Sequence, residues 1–508
     1  MKKTSLAITL VALIALLLTS TVSAQYSDYS WSTAYQVVNM GSANTDITID
    51  YYDANGVRVA AAQKVFTGVP PGGSRLVVQF TDDPNLPAGS YSAVITAGEP
   101  IAAIANQQLV PSGATSYTPA PPFSTYSGQG SGATQLTLPA VMYNWYGYYT
   151  DIFIMNVGDA DATNVDIAYV PGTLDGNPTG AAASQNDLAI KQYASLMKSQ
   201  QSMTNLGATS GIFSGRFLGS AVITSDQPII AVVNQHNPAA YKLMSYNGFT
   251  SGSTEVAAPV HMRGYFGYYS TLLVGNPHLT SPANVTITYT PTGAYNAVSS
   301  GSVGPVTVNH TIAPQKSITR HDGPTATDAQ SDLDDSPVYT RFYGSVKITS
   351  DIPVVVQMNV EALATGDAQA GSYNGIPLAS ATKDVVVPVI LADYYGYYTT
   401  LVVQNATSTA GTCSITYTSD GTYSSVKNTS KTYTHTLPAN GGFTVYEGRA
   451  GGVEDGDINS DSTWLSGGTR RFIGAATMTC TVNAVAFVNE ESVVSRRDSM
   501  YTFNTFNK

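Results

Sequence analysis

An all-β chain is what this sequence predicts: four tandem β-sandwich modules behind a leader segment. Three observations carry that expectation. First, one phrase occurs four times, an aromatic cluster running into an apolar strand that ends in Asn, at 31–41, 146–158, 266–277 and 395–406. Its anchors Asn39, Asn156, Asn276 and Asn405 recur at intervals of 117, 120 and 129 residues (156 − 39, 276 − 156, 405 − 276). A period of that length is a whole domain, since solenoid units span roughly 20–50 residues. Second, each copy continues into a strand in which Val, Ile and Tyr alternate with Thr, as in Val285 to Thr290, which gives one apolar face and one hydroxyl face. Third, the chain has 45 Gly, 26 Pro and 33 Tyr among 508 residues with only 11% charged, a composition suited to sheets separated by turns.

The elements follow in chain order. Lys2 and Lys3 precede an apolar run from Leu6 to Leu18, and Val22-Ser23-Ala24 supplies small residues for cleavage. Residues 1–24 therefore read as a secretory signal peptide, because the run falls short of the roughly 18–20 residues a membrane span needs. The mature chain is expected to be extracellular or at the cell surface, with no transmembrane segment. The modules are placed at 25–134, 135–254, 255–382 and 383–508. In the last three an entry strand comes first, around Pro139, Pro259 and Pro388, before the aromatic cluster. Asn156 to Gly158 and Asn39 to Gly41 supply the turn into the Thr-alternating strand, as Asn and Gly do in tight turns. A second turn is marked by Pro70 to Gly73 and Pro438 to Gly442. The corresponding stretch of the second copy, Leu188 to Met203, has the look of a short amphipathic helix by itself. Its counterparts carry Pro or Gly midway, which break helices, so it is assigned to strand. A closing phrase, such as Gly219 to Gln235, reads as a hairpin turned at Ser225 to Pro228. Roughly seven short strands per ~115 residues is the pattern of an immunoglobulin-like sandwich.

The run Val37 to Gly56 followed by Pro70-Pro71-Gly72-Gly73-Ser74 resembles the immunoglobulin-like modules of bacterial surface proteins, including adhesion domains of the CARDB type. The shared pattern is apolar-x-Asn-x-Gly, an alternating strand, then Pro-Gly-x-Ser. The third and fourth copies depart from it, with Asn276-Pro277-His278 and Asn405-Ala406-Thr407 at the turn. The resemblance implies a secreted, non-catalytic surface or matrix protein and names no ligand.

A net charge of −11 with no basic run argues against nucleic acid, which is bound through clustered Lys and Arg, and leaves divalent cations as candidate partners. Cys413 and Cys480 are the chain's two cysteines; in an oxidising compartment they form one disulfide. Asp455, Asp457, Asn459 and Asp461 alternate as in the first half of a calcium loop, although Ser460 stands where the turn Gly belongs and Ser466 where the closing Glu belongs, so a solvated loop is the competing reading and the preferred one. Acidic residues recur at similar points, Asp328, Asp332, Asp334 and Asp335 in the third module and Asp82 and Asp83 in the first, with none nearby in the second. The aromatic cluster supplies the interaction candidates Tyr146, Tyr148, Tyr149, Phe266, Tyr268, Tyr269, Tyr395, Tyr397 and Tyr398. These rings suit packing between modules, contact between subunits, or stacking on glycan. The scattered histidines and the lack of nucleophile or phosphate-loop motifs set no catalytic residues.

Two functions follow as expectations. One is a structural or interaction protein, a rod of four modules forming a self-assembling layer, sheath or filament. The other is an adhesin that recognises glycan or protein through the Tyr clusters. The mature first module lacks an entry strand, so it is either a shorter cap or an open edge. An open edge would accept a strand from another chain, with the tail from Tyr501 to Lys508 as a candidate donor.

Overall fold

The computed structural model describes residues 9–13, 29–111, 123–174, 176–293, 296–323, 330–334, 337–362, 369–394, 396–420, 424–427, 429–448, 456–461, 464, 471–492 and 500–507. Strands dominate, as the alternating pattern requires, and no helix among the described residues is long and apolar enough to cross a membrane.

Each unit repeats one strand plan. In the second module the order is an entry strand (Ala133–Tyr143), a second (Tyr149–Asn156), a third (Ala162–Pro171), a fourth (Ala183–Ile190), a fifth (Ser195–Ser199), a long strand (Phe217–Asn237) and a closing strand (Lys242–Asn247). The third module repeats it as Ser253–Tyr265, Tyr268–Gly275, Ala283–Pro291, Val306–Ile312, Ser317–His321, Val338–Ala362 and Ala370–Asn374. In the fourth the strands are Thr382–Ala392, Tyr397–Asn405, Gly411–Ser419, Ser430–Leu437, Gly442–Tyr446, Phe472–Ser492 and Met500–Asn504. The first module has Tyr29–Asn39, Thr45–Tyr52, Lys64–Val69 and Ser74–Val78, then Ser92–Ala97 and Ile101–Pro111 in place of the long strand, then Phe123–Ser127.

The long strand belongs to both layers. Its first half pairs antiparallel with the third strand and the entry strand, and its second half with the second and closing strands. The fourth strand completes one sheet beside the third, and the fifth completes the other beside the second. This corrects the hairpin expected at Ser225 to Pro228. The third strand stays paired as far as Ser225 and the second takes over at Ile229, so Pro228 falls between ladders, where its missing N–H costs no hydrogen bond. In the first module the chain does break, between Ala97 and Ile101.

Local chemistry explains the repeat. Each anchor Asn is buried and spans a turn: Asn156 donates Nδ2 to the carbonyls of Ala160 (2.8 Å) and Ile190 (3.1 Å) and accepts from Gly158 N (2.9 Å). Asn39, Asn276 and Asn405 make the same three kinds of bond. His278 and Thr407 supply the accepted N–H in the third and fourth modules, so Gly is dispensable there. In the third strand Val285, Ile287 and Tyr289 are buried, as the alternation requires. Around Leu188 to Met203 the structure has strand to Ile190, a turn through Tyr193 (φ 60°), strand Ser195–Ser199, and a 3-10 turn over Gln200–Ser202. The disulfide joins Cys413 and Cys480, which face each other on the third and long strands of the fourth module.

The modules close on one another. Phe153, Met155, Ile230 and Val232 of the second module enter the core cluster of the first, and Leu273 of the third enters that of the second. Val402 and Phe487 of the fourth enter that of the third, and Ile104 of the first enters that of the fourth. Full burial of such a side chain contributes roughly 1.5–3 kcal/mol, so these contacts hold a ring. The rod expected from the sequence is thereby overturned. The four closing strands meet at the ring's centre, each beside those of its two neighbours. Asn247 Nδ2 reaches Ser127 O (2.9 Å), Asn374 Nδ2 reaches Asn247 O (2.7 Å) and Asn504 Nδ2 reaches Asn374 O (2.6 Å). Residues of all four closing strands line a cavity of about 310 Å³ there.

Candidate interaction surface

The aromatic clusters sit on the turn between entry and second strands. Trp145 and Tyr148 exchange both backbone hydrogen bonds (3.0 and 2.9 Å), leaving Tyr146 (φ 49°) and Gly147 (φ 86°) as the two turn residues. Positive φ at both positions is the type I′ hairpin geometry. Phe266 (φ 49°) and Gly267 (φ 86°) repeat it in the third module. In the fourth, Tyr394 and Tyr397 pair in the same way around Gly396 (φ 87°), and Tyr395 lies outside the described residues.

The three rings of a cluster have different fates. The first is the tip: Tyr146 is 63% and Phe266 70% exposed. Holding a bulky aromatic in the left-handed region is costly, yet two modules do so with the ring in solvent. The Arg216 guanidinium lies 4.3 Å from the Tyr146 ring centroid, and the Tyr265 ring meets Phe266 edge-on at 4.8 Å. The second ring crosses to the next module. Tyr148 donates to Glu361 of the third module, Tyr268 donates to Glu491 of the fourth (3.3 Å), and the Tyr397 ring meets Phe123 of the first edge-on (6.2 Å). The third ring stays at home: Tyr398 is buried and donates to Asp393 (2.9 Å), while Tyr149 and Tyr269 are half-buried. Burial raises the Tyr149 phenol above its ordinary range.

The joints hold polar residues that the sequence did not single out. Lys242 donates to Glu361 (3.0 Å) and to Ala362 O (2.9 Å) across the second joint. Asn234 donates to Gln107 (2.9 Å) and Asn359 to Gln235 (2.7 Å). Glu490 occupies the corresponding position of the fourth module, where burial pushes its carboxyl up to about 8. The available signal was polar residues interrupting an apolar strand, as in Asn234-Gln235 and Asn489-Glu490.

The acidic positions recur in space. Asp83, Asp332 and Asp457 each accept from a buried third-strand tyrosine: Tyr51 (2.7 Å), Tyr289 (2.8 Å) and Tyr417 (2.9 Å). A cation faces the acid in the first and third modules, Lys64 on Asp83 (2.7 Å) and Arg320 on Asp332 (2.7 Å). His310 and His435 add bonds to Asp332 (3.1 Å) and Asp457 (2.9 Å). Burial alone would raise the Asp332 carboxyl, but His310, Arg320 and Tyr289 outweigh it and hold it below its ordinary value. In the second module Gln200 takes the place of the acid and donates to Tyr169 (2.9 Å). Of the candidate calcium ligands, Asp457 is thus engaged within its module, and Asp461 accepts from Lys431 and Tyr433 (2.8 Å). Asn459 lies in the short helix Asp457–Ser460, and Asp455 falls outside the described residues. Among the described residues, no three His, Cys, Asp or Glu side chains gather as a metal cluster would.

No family model and no curated protein matches the chain. Among solved structures it is similar to the one titled "Crystal Structure of Thermotoga maritima 1070", at 19% identity and a TM-score of 0.18, over 25% of this chain and 95% of that one.

Proposed function

We propose that this chain is a secreted, non-catalytic interaction protein, a ring of immunoglobulin-like modules that presents aromatic tips to a partner surface. The observation that carries the reading is the pair Tyr146 and Phe266, exposed on left-handed turns at equivalent places. Each ring touches a neighbour, Arg216 on Tyr146 and Tyr265 on Phe266, yet keeps more than half of its surface exposed, which a recognition role accounts for. Repetition at equivalent positions around a ring makes the tips a multivalent surface. The immunoglobulin-like reading draws on the second–fifth and third–long strand pairs, which match the B–E and C–F pairs of that fold. Its edges differ, because here the entry strand lies beside the long strand.

Glycan is the favoured partner, because exposed flat rings, tipped by a hydroxyl at Tyr146, stack on sugars. The test replaces Tyr146, Phe266 and Tyr395 together with Ala and applies the mature protein to a glycan array and to cell envelopes. Loss of binding with an unchanged circular dichroism spectrum supports the reading. Retained binding by the triple variant sinks it. The second reading, a subunit of a surface layer or filament, draws on the unfilled edge of the first module.

A further inference from the structure

The entry strand is buried on both faces wherever the mature chain supplies one. Leu136 to Met142, Val256 to His261 and Val385 to Ala392 are buried at every consecutive position. A strand facing core on one side alone would alternate buried and exposed residues. One face here covers the module's own core and the other meets the second strand of the next module. Gly275 lies against Pro139, Gln36 donates to Pro388 O (2.8 Å), and Val38 packs with Val386. Each entry strand is therefore both a strand of its own module's sheet, beside the long strand, and the filling of a joint.

In the first module that place is taken by Thr9–Leu13, which pairs antiparallel with Ser92–Ala97 from Thr9↔Ala97 to Leu13↔Ala93. Those residues lie in the apolar run of the leader, Leu6 to Leu18. Cleavage after Ala24 would remove them and leave a channel. Its edge would be the free backbone of Ser92–Ala97, and its far wall Phe153, Met155, Ile230 and Val232 of the second module. The segment from Gln25 to Asp28 that remains ahead of Tyr29 is too short to turn back and span it. The carboxyl-terminal tail is committed elsewhere, since Met500–Asn504 pairs with the long strand and Phe506–Asn507 with the entry strand of its own module. The tail is thus not the donor considered from the sequence.

We propose that the mature first module is a strand acceptor. Its channel takes an extended, mostly apolar segment from a second polypeptide, antiparallel to Ser92–Ala97 and buried at six to eight consecutive positions, as the entry strands of the other modules are. Main-chain bonds to the edge supply affinity, and the two-sided apolar channel selects a segment without alternation. The vacancy rests on the leader reading made above; the acceptor chemistry does not.

The experiment uses the chain from Gln25 to Lys508, produced without the leader, and a labelled peptide of the sequence Ala133 to Tyr143 as probe. Saturable binding is expected, with amide exchange over Ser92–Ala97 slowed about tenfold or more by the peptide. A second variant carries the same eleven residues joined ahead of Tyr29 through a flexible linker. It is expected to melt higher and to bind no peptide. Failure of the mature chain to bind, with Ser92–Ala97 already protected from exchange, overturns the acceptor and leaves a shorter cap. Amino-terminal sequencing of the secreted protein separates the two premises. A first residue ahead of Thr9 overturns the vacancy, whatever the peptide does.

Discussion

Glu490 offers the sharpest test of how the ring is held. Its side chain is buried, its Oε1 has no hydrogen-bond partner, and burial lifts its carboxyl from an ordinary 4.5 to about 8. Because that value is higher folded than unfolded, the unfolded chain gives up its proton first as pH rises. The stability contributed by the neutral acid is fully present below pH 4.5 and is lost between pH 4.5 and about 8. The slope is about 1.4 kcal/mol per pH unit, and the loss at pH 7 is about 3 kcal/mol. Glutamine is the natural replacement, because Gln107 and Gln235 hold the same position in the first two modules. The assay is the urea midpoint of wild type and Glu490→Gln at pH 5, 6, 7 and 8. The variant should equal wild type near pH 5 and gain on it steadily toward pH 8. A difference that is flat across the series, or that favours wild type at pH 8, would refute the reasoning.

Two further outcomes follow from the joints. Lys242→Met leaves the Glu361 carboxylate with its Tyr148 bond but no cation; stability should fall by about 3–5 kcal/mol. Adding Glu361→Gln should restore more than half of that, and a thermodynamic cycle of urea melts measures the coupling. Small-angle scattering of the mature chain should give a radius of gyration near 23 Å, the scaling for a compact chain of that length. Four modules end to end, each about 36 Å long from strands of about eleven residues, would give about 40 Å, so a value in that range would sink the closed ring.

The sequence carried the module well and the assembly poorly, and the reason is physical. Val285, Ile287 and Tyr289 reveal their strand because alternation is a local property. Asn39, Asn156, Asn276 and Asn405 reveal their turn because the side chain closes it from two to five residues away. Pro228 misled because proline usually ends a strand, and whether its N–H is needed depends on which sheet lies alongside. The joints were hidden for a related reason. Consecutive apolar residues such as Val402 and Val403 read as core, and only the folded ring shows that Val402 belongs to a neighbour's core. The run Leu136 to Met142 held the clue, since burial without alternation requires cover on two sides. The fates of Tyr146, Tyr148 and Tyr149 were not legible, because a left-handed turn splits rings that are adjacent in sequence.

One joint of the ring differs from the others in kind. The chain runs directly from the first module to the second, the second to the third and the third to the fourth, so those three contacts are tethered by peptide bonds. Between the fourth module and the first the contacts are non-covalent, among them Gln36 on Pro388, Val38 with Val386, Tyr397 on Phe123, Ile104 in the neighbour's core and the two closing strands side by side. That seam is where an opening force, a denaturant or an invading chain would part the circle first. Tethering keeps the parted faces at millimolar effective concentration, so a breach there heals without any encounter in solution. A ring made from one chain also lets each joint evolve by itself: a residue such as Glu490 enters one place, whereas in a ring of four identical subunits it would enter all of them.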